Sequence, residues 1–374
     1  MEASAKWSDN PEPAPIFAET RLPLAQVHLD ELLRETVERG ASDLHLTTGL
    51  PPCIRLDGRL IPLEYEKLDG RTIQRLIYDI LSGDQIHHFE DVKELDLSYG
   101  IASIGRFRVN VYRQRGSMGA AMRTIASEIP SLLELRLPAT LQTLTERHSG
   151  LLLVTGPTGS GKSTTLASML DVINSSRECH IMTIEDPIEY LHKHKRAMVN
   201  QRELGSDTNS FPNALRAVLR EDPDVVLVGE MRDLETIQMA LTLAETGHLV
   251  MATLHTRNAP QTIDRIVDVF PPYQQEQIKV QLSNSLEGVV AQQLVPMIGG
   301  GRICAVEVMV STSAVRNLVR EGKTHQIGSL IETGSQHGMQ TMDMNLANLF
   351  KQGKIALEEA RKRAIDQDSF DRFV

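Results

Sequence analysis

Residues 151–164 read LLLVTGPTGSGKST, and this stretch decides the fold of the chain. Four apolar residues, 151–154, lead directly into glycines, a lysine and a serine with the spacing G-x-x-x-x-G-K-[ST]. After a buried strand and before a helix, that spacing is typical of a phosphate-binding loop. Glycines let the backbone curl so that its N–H groups face phosphate oxygens, and the positive end of the following helix adds to the attraction.

The loop predicts a site for ATP and ADP. Lys162 can span the β- and γ-phosphates, and the Ser163 hydroxyl can hold Mg²⁺. The alternative is a glycine-rich turn with a surface lysine, which would need neither the strand before it nor the helix after it. The predicted nucleotide-binding residues are Gly156, Pro157, Thr158, Gly159, Ser160, Gly161, Lys162, Ser163 and Thr164.

Beyond Pro138 the chain alternates between short apolar runs and helical patterns. Strands covered on both faces are apolar in this way, and the alternation predicts an α/β fold with a mainly parallel sheet. Ligands of such sheets lie beyond the carboxyl ends of the strands. The predicted strands are 151–154, 181–184, 225–228, 249–254 and 303–310, and the predicted helices are 163–173, 213–220 and 234–245.

Acidic residues follow two of these predicted strands. Glu189 closes the segment 185–189, and Glu230 follows a glycine directly after residues 225–228. Phosphoryl transfer needs one carboxylate near Mg²⁺ and one that orients or deprotonates the attacking water. The alternative is that such acids cap helices or pair with arginines, and it carries most weight for Glu185, Asp186 and Asp233.

Two histidines border the predicted strand 249–254. His255 follows its carboxyl end, where a histidine could bond a γ-phosphate or a neighbouring acid and so couple the nucleotide to movement. His248 precedes the strand. A lone histidine is more often a structural group, and that alternative stays open for both.

Before Pro138 the pattern is that of a smaller α+β domain. A helix is predicted from Val27 to Gly40, and a hairpin turns through Asp57-Gly58. In residues 106–112 apolar and polar residues alternate, so arginines share one face of a strand. The predicted division is a flexible tail over 1–25, an N-terminal domain over 26–129, a linker over 130–138 and a second domain over 139–374.

Composition limits the class of protein. The 374 residues carry 39 basic and 49 acidic side chains, a net charge of −10, which argues against broad capture of nucleic acid. Three scattered cysteines cannot form a four-thiolate zinc site or a disulfide framework. No apolar run reaches the roughly 18 residues needed to cross a bilayer, so we expect a cytoplasmic protein.

The chain resembles the secretion-superfamily ATPases and, within them, the retraction ATPases of type IV pili. The matching segments are the phosphate loop, the acidic box 184–189, residues 229–233, the histidine box 247–256, and the shorter motifs at 41–46 and 314–319. The extension ATPases of this superfamily usually carry a four-cysteine zinc module, which this chain cannot build.

The resemblance implies a PAS-like N-terminal domain joined to a RecA-like P-loop ATPase core in a homohexameric ring. It implies that Glu189 is the general base and that Glu230 is an atypical Walker B acid near Mg²⁺. His248 and His255 would link the nucleotide to conformation. Arginines of the N-terminal domain complete such sites, and the candidates are Arg108, Arg113 and Arg123. For each of them, a solvated charge at a strand edge is the alternative.

The function implied is a motor that hydrolyses ATP to power pilus retraction, so that pilin leaves the fibre. It would work on an inner-membrane platform protein, at the inner face of the cytoplasmic membrane. One alternative is an accessory or regulatory nucleotide-binding subunit of the pilus or type II secretion machinery with little hydrolysis of its own. A DNA translocase is a third, opposed by the acidic charge and the lack of a basic strip interleaved with aromatic residues.

Overall fold

The structure is a computed structural model that describes residues 22–56, 58–102, 104–125 and 128–374. Its internal contacts divide the chain into two compact units, Met1–Thr124 and Ile125–Val374. The predicted domain limits stay predictions. Residues 1–21 of the predicted tail lie outside the described residues, whereas Leu24, near its end, is fully buried and its N–H donates to Glu66.

The N-terminal unit is a six-stranded sheet with three helices. The strands lie in the order β3-β2-β1-β6-β5-β4. The strands are β1 (Asp43–Leu46), β2 (Cys53–Leu56), β3 (Arg59–Pro62), β4 (Glu94–Ile101), β5 (Gly105–Gln114) and β6 (Ser117–Ile125), and the helices are α1 (Leu29–Glu38), α2 (Gly70–Tyr78) and α3 (Gly83–Val92).

Alternation along β5 behaves as predicted. Phe107, Val109 and Val111 are fully buried, while Arg108 between them is exposed. Strands β2 and β3 form the predicted antiparallel hairpin, although Asp57 of its turn lies outside the described residues. The sequence did not predict α3 or the central strand β6. Small residues such as Gly119, which packs under the Tyr112 ring, weaken a strand pattern.

The C-terminal unit contains a seven-stranded sheet, ordered β13-β12-β7-β11-β10-β8-β9. All neighbours are parallel except β12 and β13, so the prediction of a mainly parallel sheet is confirmed. The strands are β7 (Gly150–Thr155), β8 (His180–Glu185), β9 (Met198–Glu203), β10 (Val225–Val228), β11 (Leu249–Leu254), β12 (Leu286–Pro296) and β13 (Arg302–Val310).

Helices cover this sheet and extend the unit at its C-terminal end. Apolar residues of the four adjacent strands β7, β11, β10 and β8 face helices on both sides, which is why these strands are apolar almost throughout. The helices are α4 (Thr140–Thr145), α5 (Lys162–Ser176), α6 (Phe211–Val218), α7 (Leu234–Glu245), α8 (Ala259–Asp268), α9 (Pro272–Ser285), α10 (Ser313–Glu321), α11 (Ile327–Thr333), α12 (Met342–Lys351), α13 (Leu357–Arg363) and α14 (Gln367–Phe373), with short 3-10 turns at Thr324–Gln326 and Ser335–His337.

Two strands of this sheet were not predicted. β9 is polar, and β12 carries Gln292 and Gln293 within an otherwise apolar run. The residues predicted as a linker, 130–138, belong to the C-terminal unit, where Leu132 and Leu137 are buried in its core. In the part of the chain that the structure describes, every helix is too short or too polar to cross a membrane.

Candidate active site

Strands β7, β8, β10 and β11 bring their carboxyl ends to one edge of the sheet. Parallel register places Leu254 opposite Thr155, Ala252 opposite Val228, and Val228 opposite Ile184. The segments that follow therefore meet there: the phosphate loop after β7, the acidic segment after β8, Glu230 after β10 and His255 after β11. The sheet converts four separate sequence motifs into one site.

The phosphate loop curls as the glycine pattern predicts. Gly156, Gly159 and Gly161 all have positive φ, at 141°, 77° and 89°, a region that side chains rarely adopt. Helix α5 begins at Lys162, directly after the loop, and its N-cap Gly161 supplies no side-chain cap. The first N–H groups of α5 are therefore left for an anion.

Lys162 lies between the loop and two carboxylates. Its Nζ donates to the carbonyl oxygens of Gly156 (2.9 Å) and Pro157 (3.3 Å). Burial lowers the pKa of Lys162, and the charges of Glu230 and Glu189 act in the opposite direction. The three predicted site residues, separated by tens of positions in sequence, thus interact electrostatically in the fold.

Glu230 is the centre of a charged cluster. Its carboxylate accepts hydrogen bonds from Arg232 (2.7 Å) and lies 2.9 Å from His255 Nε2. Burial alone would raise the pKa of Glu230, but the bonds from Arg232 and His255 outweigh it and hold the pKa below its usual value. Glu230 is therefore ionised at neutral pH, and His255 contacts the neighbouring acid, one of its two predicted partners.

Close packing at the end of β10 explains why a glycine, Gly229, precedes Glu230. The N–H of Gly229 donates to Ile184 O (2.8 Å), and a Cβ there would lie 3.2 Å from the Cα of Glu185. Thr253 on the other side donates its hydroxyl to Gly229 O (2.5 Å). The ends of β8, β10 and β11 are thereby joined, which fixes where Glu230 begins.

The segment that carries Glu189 is anchored on both sides of this residue. Ile188 N–H donates to the buried carboxylate of Glu203 (3.0 Å), and the Tyr190 hydroxyl bonds Thr164 Oγ1 (2.9 Å) at the start of α5. The Glu189 side chain itself is exposed. A fixed backbone with a solvent-facing carboxylate suits a group that must reach a water molecule.

The other acids of these segments make local contacts instead. Asp233 is the N-cap of α7 and accepts from both the N–H and the hydroxyl of Thr236. Glu185 accepts from Thr183 Oγ1 and Gln201 Nε2, and burial raises its pKa. Asp186 is exposed. These contacts favour the structural alternative for Asp233 and Glu185.

His248 lies at the opposite edge of the sheet from the phosphate loop. It precedes β11, and its Nδ1 is 2.9 Å from Leu243 O at the end of α7. Six strand residues at about 3.3 Å each separate the two histidines. Within one chain the structure brings His255 to the site and leaves His248 away from it.

The three N-terminal arginines have different surroundings. Arg113 donates from one nitrogen to both carboxylate oxygens of Glu90 and lies over the Phe89 ring, and Arg123 donates to Asp43 at 2.9 Å. Arg108 is exposed and has no acidic partner among the described residues. Of the three, only Arg108 lacks an acidic partner among the described residues of its unit.

The residues suggested for Mg²⁺ have the right chemistry. Mg²⁺ prefers hard oxygen ligands and keeps several waters. Ser163 contributes a hydroxyl with no hydrogen-bond partner in the described part of the chain, and Glu230 a carboxylate ionised at neutral pH. The chemistry of these two groups fits the ion. Across the described residues no cluster of three or more His, Cys, Asp or Glu forms a separate metal site.

A buried carboxylate, that of Glu307, contacts the helix that follows His255. Glu307 in β13 is 5% exposed and accepts from the N–H of Ala259 (2.7 Å), the first residue of α8, and from the N–H of Met342, the first residue of α12. Helix α8 follows closely after His255. One side chain therefore holds the N-termini of two helices, and burial raises its pKa to about 7.

We expect Glu307 to make the stability of the protein fall with pH. Between about pH 4.5, where the unfolded chain releases this proton, and about 7, where the folded chain does, the folded state binds more protons. The free energy of unfolding should therefore fall over this window, by about 3 kcal/mol. Glu307→Gln stays neutral at every pH. Its free energy of unfolding, measured in urea at pH 5 and at pH 8, should therefore not show this decrease. Parallel pH profiles for the two proteins would contradict this assignment.

Sequence reasoning missed one residue that contacts the phosphate loop. Gln292 of β12 is 2% exposed and donates from Nε2 to Ser160 O (2.7 Å). The only signal in the sequence was a glutamine inside an apolar run, at a position that was not predicted as strand. Its partner is 132 residues away, a separation that no local pattern records.

Comparison with known proteins agrees with this geometry. The family described as "Type II/IV secretion system protein" matches residues 120–300. The chain is 50% identical to the type IV pilus retraction ATPase PilT of Pseudomonas aeruginosa, over 91% of this chain and 99% of that protein. It is 47% identical to a twitching motility protein of Neisseria gonorrhoeae, over 85% of both chains.

Comparison with a solved structure leads to the same family. The crystal structure of the pilus retraction motor PilT with bound ADP matches with a TM-score of 0.87 and 50% identity, over 93% of this chain and all of that one. The predicted RecA-like core is thereby confirmed. The protein belongs to the PilT family of type II/IV secretion-system ATPases.

Proposed function

We propose that this protein is an ATP-hydrolysing motor that powers type IV pilus retraction. The observation that carries the proposal is the convergence of Lys162, Glu189 and Glu230 at one edge of the sheet, beside an open phosphate loop. The 50% sequence identity to a retraction ATPase, which extends over 91% of this chain, supports the biological role. The ADP bound to the similar PilT structure supports nucleotide binding at this loop.

The geometry supports a division of tasks among the site residues. Loop N–H groups and Lys162 hold the β- and γ-phosphates, because both present positive charge to the same concave surface. Ser163 and Glu230 would hold Mg²⁺, which would neutralise charge on the phosphates. Glu189 accepts the proton of the attacking water, since its carboxylate is exposed on an anchored backbone.

His255 connects the site to the rest of the unit. It bonds Glu230 at one end, and the segment after it leads into α8, whose N-terminus Glu307 fixes. A change in the contacts of Glu230 on hydrolysis would therefore be passed to α8. His248 takes no part in this path within one chain, and a role for it requires a neighbouring copy.

We further propose that the motor is a homohexameric ring with a PAS-like N-terminal domain. Arg108 is the strongest of the three candidates for completing the site, because its charge has no acidic partner among the described residues. The proposed partners are an inner-membrane platform protein and, indirectly, pilin. The protein would then lie against the inner face of the cytoplasmic membrane.

The motif at 314–319 also supports assignment to the retraction branch. It lies on α10, where Val315 and Val319 are buried. Arg316 donates to Ser283 O and Asn284 O at the end of α9 and pairs with Glu287. The motif is thus built into the packing of α9 and α10 rather than being a loose surface tail.

Deleting the gene tests the proposed direction of the motor. We expect cells with more surface pili that no longer retract, since fibre growth would continue without disassembly. Pili are counted by electron microscopy and retraction is followed by fluorescence imaging of labelled fibres. Complementation by the wild-type gene should restore retraction, and complementation by Lys162→Ala should not.

Three outcomes would contradict the proposal. Fewer pili after deletion would indicate assembly instead of retraction. Failure of the purified full-length protein to hydrolyse ATP with Mg²⁺ would favour an accessory or regulatory subunit. Stimulation of that hydrolysis by DNA at physiological salt would favour a translocase.

A further inference from the structure

Gln292 lies under the phosphate loop. It is in β12, which runs parallel to β7 with Ala291 opposite Thr155, so that Gln292 comes next to the point where the loop leaves the sheet. On its other side it pairs with Val306 of β13. Only 2% of the residue is exposed.

The loop touches Gln292 at three places. Its Nε2 donates to Ser160 O at 2.7 Å. A Cβ at Gly161 would lie 3.2 Å from the same nitrogen, and a Cβ at Gly156 would collide with the backbone oxygen of Gln292. A glycine at 156 is therefore required by β12 as well as by the phosphate.

We infer that Gln292 is a positioning residue for nucleotide binding, which it serves by fixing the direction of one peptide unit of the loop. The carbonyl of Ser160 and the N–H of Gly161 belong to the same planar group and point in opposite directions. Because Gln292 holds that carbonyl against β12, the Gly161 N–H is turned away from the sheet, toward the phosphate side. A reversed peptide would present a carbonyl oxygen to an anion.

The polar atoms around this contact argue against a purely structural role. Gln292 Oε1 is buried without a hydrogen-bond partner in the described residues, and so is the hydroxyl of Ser160. A buried amide oxygen without a partner costs free energy that an apolar side chain of the same length would avoid. Packing alone would therefore favour methionine here, and the amide is explained by its bond to the loop.

The adjacent Gln293 provides a matched control. It lies on the same strand and donates from Nε2 to a backbone carbonyl, Arg363 O, at 3.0 Å. That carbonyl belongs to the last residue of α13 and is not part of the phosphate loop. The two glutamines thus make the same kind of bond, and only that of Gln292 reaches the loop.

The test compares ADP affinity of full-length wild type, Gln292→Met and Gln293→Met by isothermal titration calorimetry. The inference rests on the proposed nucleotide site. Losing one well-oriented donor to a charged phosphate should raise the Kd of Gln292→Met about 10- to 100-fold, while Gln293→Met should stay within about twofold of wild type. Without nucleotide, Gln292→Met should unfold at a temperature no lower than Gln293→Met.

A second variant guards against misfolding. Gln292→Glu keeps the shape and, in its ionised form, cannot donate to Ser160, so at alkaline pH it should weaken ADP binding at least as much as Gln292→Met. Equal affinities for wild type and both Gln292 variants, or equal losses in Gln292→Met and Gln293→Met, would overturn the inference. If the wild-type protein itself does not bind ADP, both the proposed function and this inference are refuted.

Discussion

Replacing Glu189 by alanine should lower the rate of ATP hydrolysis by about 10²- to 10⁴-fold, the contribution typical of a general base. The physical reason is that Glu189 is the exposed carboxylate on an anchored segment beside Lys162, free to take a proton from water. Because Glu189 does not hold the phosphates, ADP affinity should change little. Steady-state hydrolysis and ADP titration on the same preparation measure both quantities.

Asp186→Asn supplies the matched control for Glu189. Asp186 is an exposed acid in the same segment, and its removal also takes away one negative charge near Arg232. Hydrolysis by this variant should remain within a few-fold of wild type. Robust turnover by Glu189→Ala would exclude Glu189 as the base, and an equal loss in Asp186→Asn would indicate that general charge, not proton transfer, is responsible.

Lys162→Ala should abolish both hydrolysis and tight nucleotide binding. Loss of one preorganised positive group that faces the charge of the transition state lowers the rate about 10²- to 10³-fold. Because Lys162 also contacts the phosphates of the bound nucleotide, its loss should weaken nucleotide binding as well. The variant should therefore show a raised Kd for ADP as well as a collapsed turnover. This combination distinguishes it from Glu189→Ala, in which binding survives.

Folding must be checked for Lys162→Ala, since Lys162 also bonds two carbonyl oxygens of the loop. Removing a half-buried ammonium relieves desolvation, so we expect no loss in the temperature of unfolding without nucleotide. Lys351→Ala, at the exposed end of α12, is the control for removing a lysine charge. Normal ADP binding by Lys162→Ala would refute its role at the phosphates.

Local patterns were sufficient for much of the fold. Every predicted strand of the C-terminal unit is present, because strands buried on both faces are apolar throughout and stand out in sequence. Strands β6, β9 and β12 were missed because small or polar residues interrupt their patterns. Such strands are stabilised by neighbours that are distant in sequence, and propensity alone does not identify them.

The motifs of the site were equally visible, but their roles were not equally decided. The spacing of Gly156–Thr164 specifies a phosphate loop by itself, because the curl, the lysine and the helix start are all local. The sequence left a structural role open for both His248 and His255, and the structure shows that His255 contacts Glu230 whereas His248 contacts Leu243 O at the other end of β11. For Asp233 the sequence already favoured a helix cap or an arginine pair over a catalytic role, and its position as the N-cap of α7 agrees with that.

The sequence alone determined the α/β class, the phosphate loop and the set of acids and histidines that could serve it. The tertiary structure alone decided which of these meet: Glu230 with His255 and Lys162, and the loop with Gln292. The physical reason is range. Backbone conformation and buried strands follow from residues a few positions apart, whereas hydrogen bonds and charge pairs follow from distances of about 3 Å that only the packed sheet creates.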